Sequence, residues 1–293
     1  MKIATFIYNC LETAGVEIDG NFYSFYNLLD APVQYGMLDF IRQYENEPLP
    51  DFRAHVEQNP NLVPIPAKNV TLEAPIPRPR HIICLGKNYA DHAKEVSETI
   101  QSNKNLIPLS PIYFSKIPSP VMGDKSTIPL HEHITSQADY EAELGIVIGK
   151  TASRISPDQA ENVIFGYTIV NDLTARDLQQ KHDQWFFAKS LDGFCAIGPH
   201  IITRDEIPFP PRLEIKCRVN DELRQSSNTS AFIFDIPHII SEISQGITLY
   251  PGDIIATGTP AGIGHAMTPP QYLKRGDTVE CEIEKIGVLT NYF

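Results

Sequence analysis

The segment Tyr140-Glu141-Ala142-Glu143-Leu144-Gly145-Ile146-Val147-Ile148 sets two carboxylates into an otherwise apolar run. On a strand, residues two apart project from one face, so both acids point the same way. The continuation from Leu144 to Ile148 predicts that this strand is buried. Like charges side by side on a buried surface are destabilising unless a cation sits between them, and a hard divalent ion held by oxygen ligands meets that need. The bland alternative is an exposed strand face with two solvated glutamates. Asp172, which closes a second apolar run from Gly166 to Asn171, offers a third oxygen ligand and favours the metal.

A chain of 293 residues can bury a large core, either as one big domain or as a main domain with a small appendage. Its net charge of −12 disfavours nucleic acid and anionic membrane as partners, and requires local cations for any anionic substrate. The five cysteines lie far apart with no Cys-x-x-Cys pair, which suggests reduced thiols rather than a disulfide framework. No signal-peptide pattern and no run of ~20 apolar residues is present, so the cytoplasm is the expected compartment.

Lys2 to Asn9 and Val16 to Phe25 read as two strands joined near Asp19-Gly20-Asn21, followed by a helix around Met37 to Tyr44. Prolines then recur from Pro60 to Pro79, which places a boundary between a small N-terminal α/β unit (1–70) and a catalytic body (71–293). The body reads as strands at 82–86, 144–149, 166–171, 213–219, 254–257 and 278–283. Helices open at Ser156-Pro157 and at Asp235-Ile236-Pro237. Strand-to-helix alternation is absent, so the fold class is α+β, dominated by sheet.

Several residues near the acids could carry chemistry. His92 and Glu95 are three apart on a helical turn, where the carboxylate can orient the imidazole as a general base; the bland reading is a surface pair. Arg176 and Gln179 enter a helix just after Asp172 and could meet an anion there. Lys189 follows an aromatic run, and a buried ammonium needs a partner. The loop from Thr257 to Gly264 offers backbone N–H groups for a carboxylate. His131-Glu132-His133 is a rival metal cluster, although alternation on a strand would turn Glu132 away from both histidines.

Taken in order, Gly86-Lys87-Asn88-Tyr89-Ala90-Asp91-His92, Asp139-Tyr140-Glu141-Ala142-Glu143-Leu144, the run from Gly166 to Asp177, Ala188-Lys189-Ser190 and Ala256-Thr257-Gly258-Thr259-Pro260 resemble the fumarylacetoacetate hydrolase family over about residues 75 to 293. The resemblance implies a layered, rolled mixed sheet, usually in a homodimer, with Mg²⁺ or Mn²⁺ on Glu141, Glu143 and Asp172. It also implies a His92/Glu95 dyad on a lid, a lysine at Lys189, and substrate contacts from Arg176, Gln179 and Thr259. Lys116 and Ser119 fall in a stretch similar to the family's Phe-x-Lys segment. Residues 218–226 and 268–273, with the short N-terminal unit, are most similar to bacterial oxaloacetate-decarboxylating members, and within the family the chain as a whole resembles oxaloacetate decarboxylase or acylpyruvase-like members.

A divalent ion with open positions can chelate a 2-oxo acid and withdraw electrons, so that charge arising on the neighbouring carbon is held as an enolate. A small anionic 2-oxo dicarboxylate is therefore the expected partner. Oxaloacetate decarboxylation comes first among the expected reactions, acylpyruvate or fumarylpyruvate hydrolysis second, and isomerisation or tautomerisation third. A metabolite-binding regulator without turnover is the alternative from another class.

Overall fold

The computed structural model describes residues 1–99, 107–118 and 121–293; Ser119 lies outside the described residues. Strands β1 (Lys2–Tyr8), β2 (Leu11–Ile18), β3 (Asn21–Ser24), β4 (Ile65–Pro66) and β5 (Thr71–Leu72) open the chain. They are followed by β6 (Ile82–Gly86), β7 (Ile112–Lys116), β8 (Ala138–Asp139), β9 (Ala142–Ile148), β10 (Ile164–Asn171), β11 (Thr174–Ala175) and β12 (Ala196–Thr203). The last are β13 (Glu214–Val219), β14 (Glu222–Asn228), β15 (Ile254–Ala256), β16 (Thr278–Ile283) and β17 (Gly287–Tyr292).

The main sheet runs β4-β3-β2-β1-β12-β10-β9-β15-β6-β7, with β5 paired to β1, and a second sheet runs β14-β13-β16-β17. Among the described residues only β15 and β6 form a parallel ladder; the other ladders of the main sheet are antiparallel. The sheet-dominated α+β expectation therefore holds. The N-terminal region differs in detail, because residues 2–24 form three strands rather than two. A turn at Asn9 and Cys10, both with positive φ, splits off β2, and Asp19-Gly20 makes the second turn. Through the β1–β12 ladder, residues 1–70 continue the sheet of the catalytic body.

Alternation along β9 explains the layering. Leu144, Ile146 and Ile148 pack with Ile215, Val279 and Leu289 of the second sheet. Val147 faces the other way, into a layer with Ile82, Val170, Ile254 and the N-terminal aromatics Phe25, Phe40 and Phe52. Phe25 and Phe40 stack with centroids 4.0 Å apart. The helix Met37–Gln43 supplies Met37, Phe40 and Ile41, which share one face, to that layer. Asp235 caps the helix Ile236–Gly246 by accepting from the His238 N–H, and its isoleucines line the core. A strand buried on both faces has no solvent side, so the acids of β9 and its approach must find partners inside.

Candidate active site

Sheet register builds the acidic trio. Val170 lies opposite Glu143, Asn171 opposite Ala142, and one step further the Asp172 N–H donates to the Glu141 carbonyl at 2.8 Å. Cross-strand neighbours share a face. Carboxylate oxygens of Glu141, Glu143 and Asp172 accordingly come within 4.8 Å of one another, all buried.

Three cations surround the trio. Lys189 donates to Glu141 at 2.8 Å and to Asp172 at 2.7 Å. Lys116 donates to Asp172 and to the Leu173 carbonyl. Arg176 donates through Nε to Asp139 at 2.9 Å, and its Nη2 makes a 2.7 Å ion contact with Glu141. Burial pushes the Glu141 carboxyl upward, but Lys189 and Arg176 outweigh it and hold the group at about 2. Glu143 goes the other way. Burial, reinforced by Asp172 and Glu141, raises it well above the usual carboxylate range, and among the described residues its carboxylate accepts one hydrogen bond, from the Gly258 N–H at 2.8 Å.

An all-oxygen donor set converging on one point, with one member short of a counter-charge, fits a hard divalent cation. Soft or thiolate-seeking metals are not suited to it. His131-Glu132-His133 makes no such set. His131 has a positive φ and the segment is a turn rather than a strand; Glu132 pairs with Arg275 and His131 bonds to the Asp192 carbonyl.

A cavity of about 310 Å³ reaches the trio at Glu141, and Lys189, Arg176, His92, Gln179 and Thr259 are among its other lining residues. Lys116 does not line it and sits beneath, against Asp172. His92, on the helix Ala90–Thr99, is 5% exposed and its Nδ1 lies 2.8 Å from Glu95. With Glu95 ionised, Nδ1 carries the proton and Nε2 is left for the cavity. Gln179 accepts from Arg176 through Oε1, which leaves its amide N–H groups available. Thr259 accepts from Gln225, which leaves its hydroxyl proton to donate. The wall is apolar where Phe114 meets Trp185 edge-on, and Trp185 lies so close over Gly86 that a Cβ there would meet the ring at 2.3 Å.

The loop 257–264 spends its N–H groups on the protein itself. Gly258 donates to Glu143, Gly262 to Glu95, and Gly264, with His265 beyond it, to Asp139. Gly262 has φ +106, and a Cβ there would strike the Arg224 carbonyl at 2.0 Å, so only glycine fits. Sequence reasoning quoted Asp139 in a motif without giving it a task, yet it holds both Arg176 and this loop. Asn88 and Gln225 were missed as well. Buried Asn88 bonds to the backbone of Thr257 and Phe234, and Gln225 to that of Ala142 and Pro260.

The fumarylacetoacetate (FAA) hydrolase C-terminal family matches residues 81–293. Oxaloacetate tautomerase YisK of Bacillus subtilis is 50% identical over 223 residues, 76% of this chain and 72% of that protein. Among solved structures, a fumarylacetoacetate hydrolase from psychrophilic Exiguobacterium antarcticum superposes with a TM-score of 0.85 at 40% identity, covering 100% of this chain and 98% of the other. Maleylpyruvate hydrolase from Sphingobium sp. SYK-6, in complex with manganese(II) and pyruvate, gives 0.78 at 31% identity, again covering 100% and 98%.

Proposed function

This chain belongs to the fumarylacetoacetate hydrolase family and is an enzyme, and from that premise we propose that it moves a proton at the carbon beside the 2-oxo group of a small dicarboxylate of the oxaloacetate class. What supports this reading is the built base next to the acidic trio: His92 held by Glu95, and Glu95 held by the Gly262 N–H. Decarboxylation needs no base, since departing CO₂ leaves its electron pair behind. A fixed imidazole is needed where a proton is taken from carbon or from water. Keto–enol interconversion therefore moves ahead of decarboxylation, the reaction expected first from sequence.

Glu141, Glu143 and Asp172 would hold Mg²⁺ or Mn²⁺, which when bound supplies electron withdrawal from the 2-oxo group. In the keto-to-enol direction His92 Nε2 takes the proton from the carbon beside the 2-oxo group and delivers it to the 2-oxo oxygen, and in the enol-to-keto direction it carries the enol O–H proton back to that carbon, while Glu95 stabilises the imidazolium in between. Lys189 keeps Glu141 ionised and turns it and Asp172 to one point, and Lys116 pairs with Asp172 from beneath. Gln179 N–H and Thr259 O–H orient substrate oxygens, and Arg176, fixed by Asp139, positions Gln179. The aromatic wall keeps water away from the carbanionic charge.

A second reading is C–C cleavage by decarboxylation or acylpyruvate hydrolysis, which draws on the same electron withdrawal. The similarity to a maleylpyruvate hydrolase favours it. The test is a panel with Mn²⁺ and with chelator: decay of enol-oxaloacetate absorbance, and pyruvate release from oxaloacetate, acetylpyruvate and fumarylpyruvate. Chelator-sensitive enol decay is expected to dominate, and His92→Ala to slow it by about 10²–10⁴ while leaving Mn²⁺ affinity intact. Pyruvate release that outruns enol decay would select the second reading. Binding across the panel without turnover would indicate a metabolite sensor. The family resemblance makes a homodimer the proposed assembly, which light scattering checks.

A further inference from the structure

The cations at the pocket are not equivalent. Arg176 lies on Asp139 and Glu141, Lys189 on Glu141 and Asp172, and Lys116 on Asp172. Lys87 lines the same cavity, half-buried, and among the described residues it makes no hydrogen bond or ion pair. Burial alone lowers its pKa, with no carboxylate opposing the shift. Its backbone is left-handed, at φ 55, a conformation uncommon for a residue with a side chain and enriched where function requires it. Neighbouring Asn88, fully buried, fixes that backbone by bonding to Thr257 and Phe234.

Leaving aside the His92–Glu95 pair, the floor buries four carboxylates (Asp139, Glu141, Glu143, Asp172) against three cations (Lys116, Arg176, Lys189). A divalent ion turns that deficit of one positive charge into a surplus of one. The surplus matches one substrate carboxylate and leaves the second without a counter-charge. Elsewhere the cavity offers Val96, Phe114, Trp185 and Ile263, which are apolar, and His265, which burial and Arg176 hold toward its neutral form.

We infer that Lys87 binds the distal carboxylate of the 2-oxo dicarboxylate and sets the preference for dianionic over monoanionic substrates, an assignment that rests on the proposed reading of the site. A dicarboxylate bound at the trio by one end presents its other end to a wall whose single unpartnered cation among the described residues is Lys87, and a charge-assisted hydrogen bond there is stronger for being partly desolvated.

The test uses two unreactive 2-hydroxy acids of the same chain length, malate and 2-hydroxybutyrate, titrated calorimetrically into the Mn²⁺-loaded protein. Malate is expected to bind about 10- to 100-fold more tightly, as a charge-assisted hydrogen bond implies. Lys87→Gln should remove that preference without changing the affinity for 2-hydroxybutyrate or Mn²⁺, and Lys87→Arg should retain most of it. Lys87→Met serves as the second neutral variant if glutamine disturbs the left-handed backbone. Equal affinities for the two acids in the unsubstituted protein, or an undiminished malate preference in Lys87→Gln, would overturn the assignment. A Lys87-dependent malate preference in a protein that leaves enol-oxaloacetate untouched would refute the proposed reaction and keep the role of Lys87.

Discussion

The pocket floor buries Asp139, Glu141, Glu143 and Asp172 with Lys116, Arg176 and Lys189, each at most 5% exposed, whereas the layer beneath the N-terminal strands buries Phe25, Phe40 and Phe52, each at most 1% exposed, with no charge among them. Removing charges from water costs several kcal/mol per ion, and their mutual attraction only partly offsets it. Burying a phenyl ring stabilises by about 1.5–3 kcal/mol. Two equally dry places in one sheet thus work in opposite senses. The aromatic layer contributes stability, and the floor holds charges that a metal and a substrate can use.

Substitutions can break or sharpen that contrast. The largest effect is expected from Glu143→Gln, which should weaken Mn²⁺ binding by at least about 100-fold and abolish turnover, because a trio member is lost. The metal-free protein should unfold at the same temperature or higher, since the one floor carboxylate without a cation is gone. A clear loss of stability in the metal-free form would erase the distinction between the regions. Phe40→Ala should do the reverse, costing about 3–5 kcal/mol in urea unfolding while the folded fraction keeps its Mn²⁺ affinity.

The smallest effect concerns Glu17, on β2 across from Lys2. His200, whose Nε2 lies 2.9 Å from the carboxylate, and Lys2, paired with it, outweigh burial and hold its carboxyl at about 2. The folded protein then binds that proton less readily than the unfolded chain does, so stability from this group is complete above pH 4.5 and lost as pH falls toward 2. Melting temperatures of Glu17→Gln across that window should fall less steeply with acid than those of the unsubstituted protein.

The trio was legible because strand alternation and a run-ending aspartate survive translation into register. His92 and Glu95 were legible for the same kind of reason, a helical spacing. Asp139 was not, since an acid serving the protein's own N–H groups and an arginine carries no distinguishing spacing. Strand β12 escaped notice because Gly198-Pro199 inside it reads as a breaker, and the sheet absorbs it where the β10 register shifts between Tyr167 and Ile169. The histidine cluster was discounted on strand alternation, whereas what separates its members is that the chain turns at His131. Lys87 stood in a quoted motif, but lack of a partner is visible only in three dimensions.

The loop 257–264 ties together the carboxylate lacking a cation, the partner of the imidazole and the anchor of Arg176 through the N–H groups of Gly258, Gly262 and Gly264. It acts as a common ruler for three tasks, and a shift of a few tenths of an ångström would be felt by all of them at once. Divergence among chains of this design is therefore expected to leave that ruler alone and to adjust substrate choice at the wall.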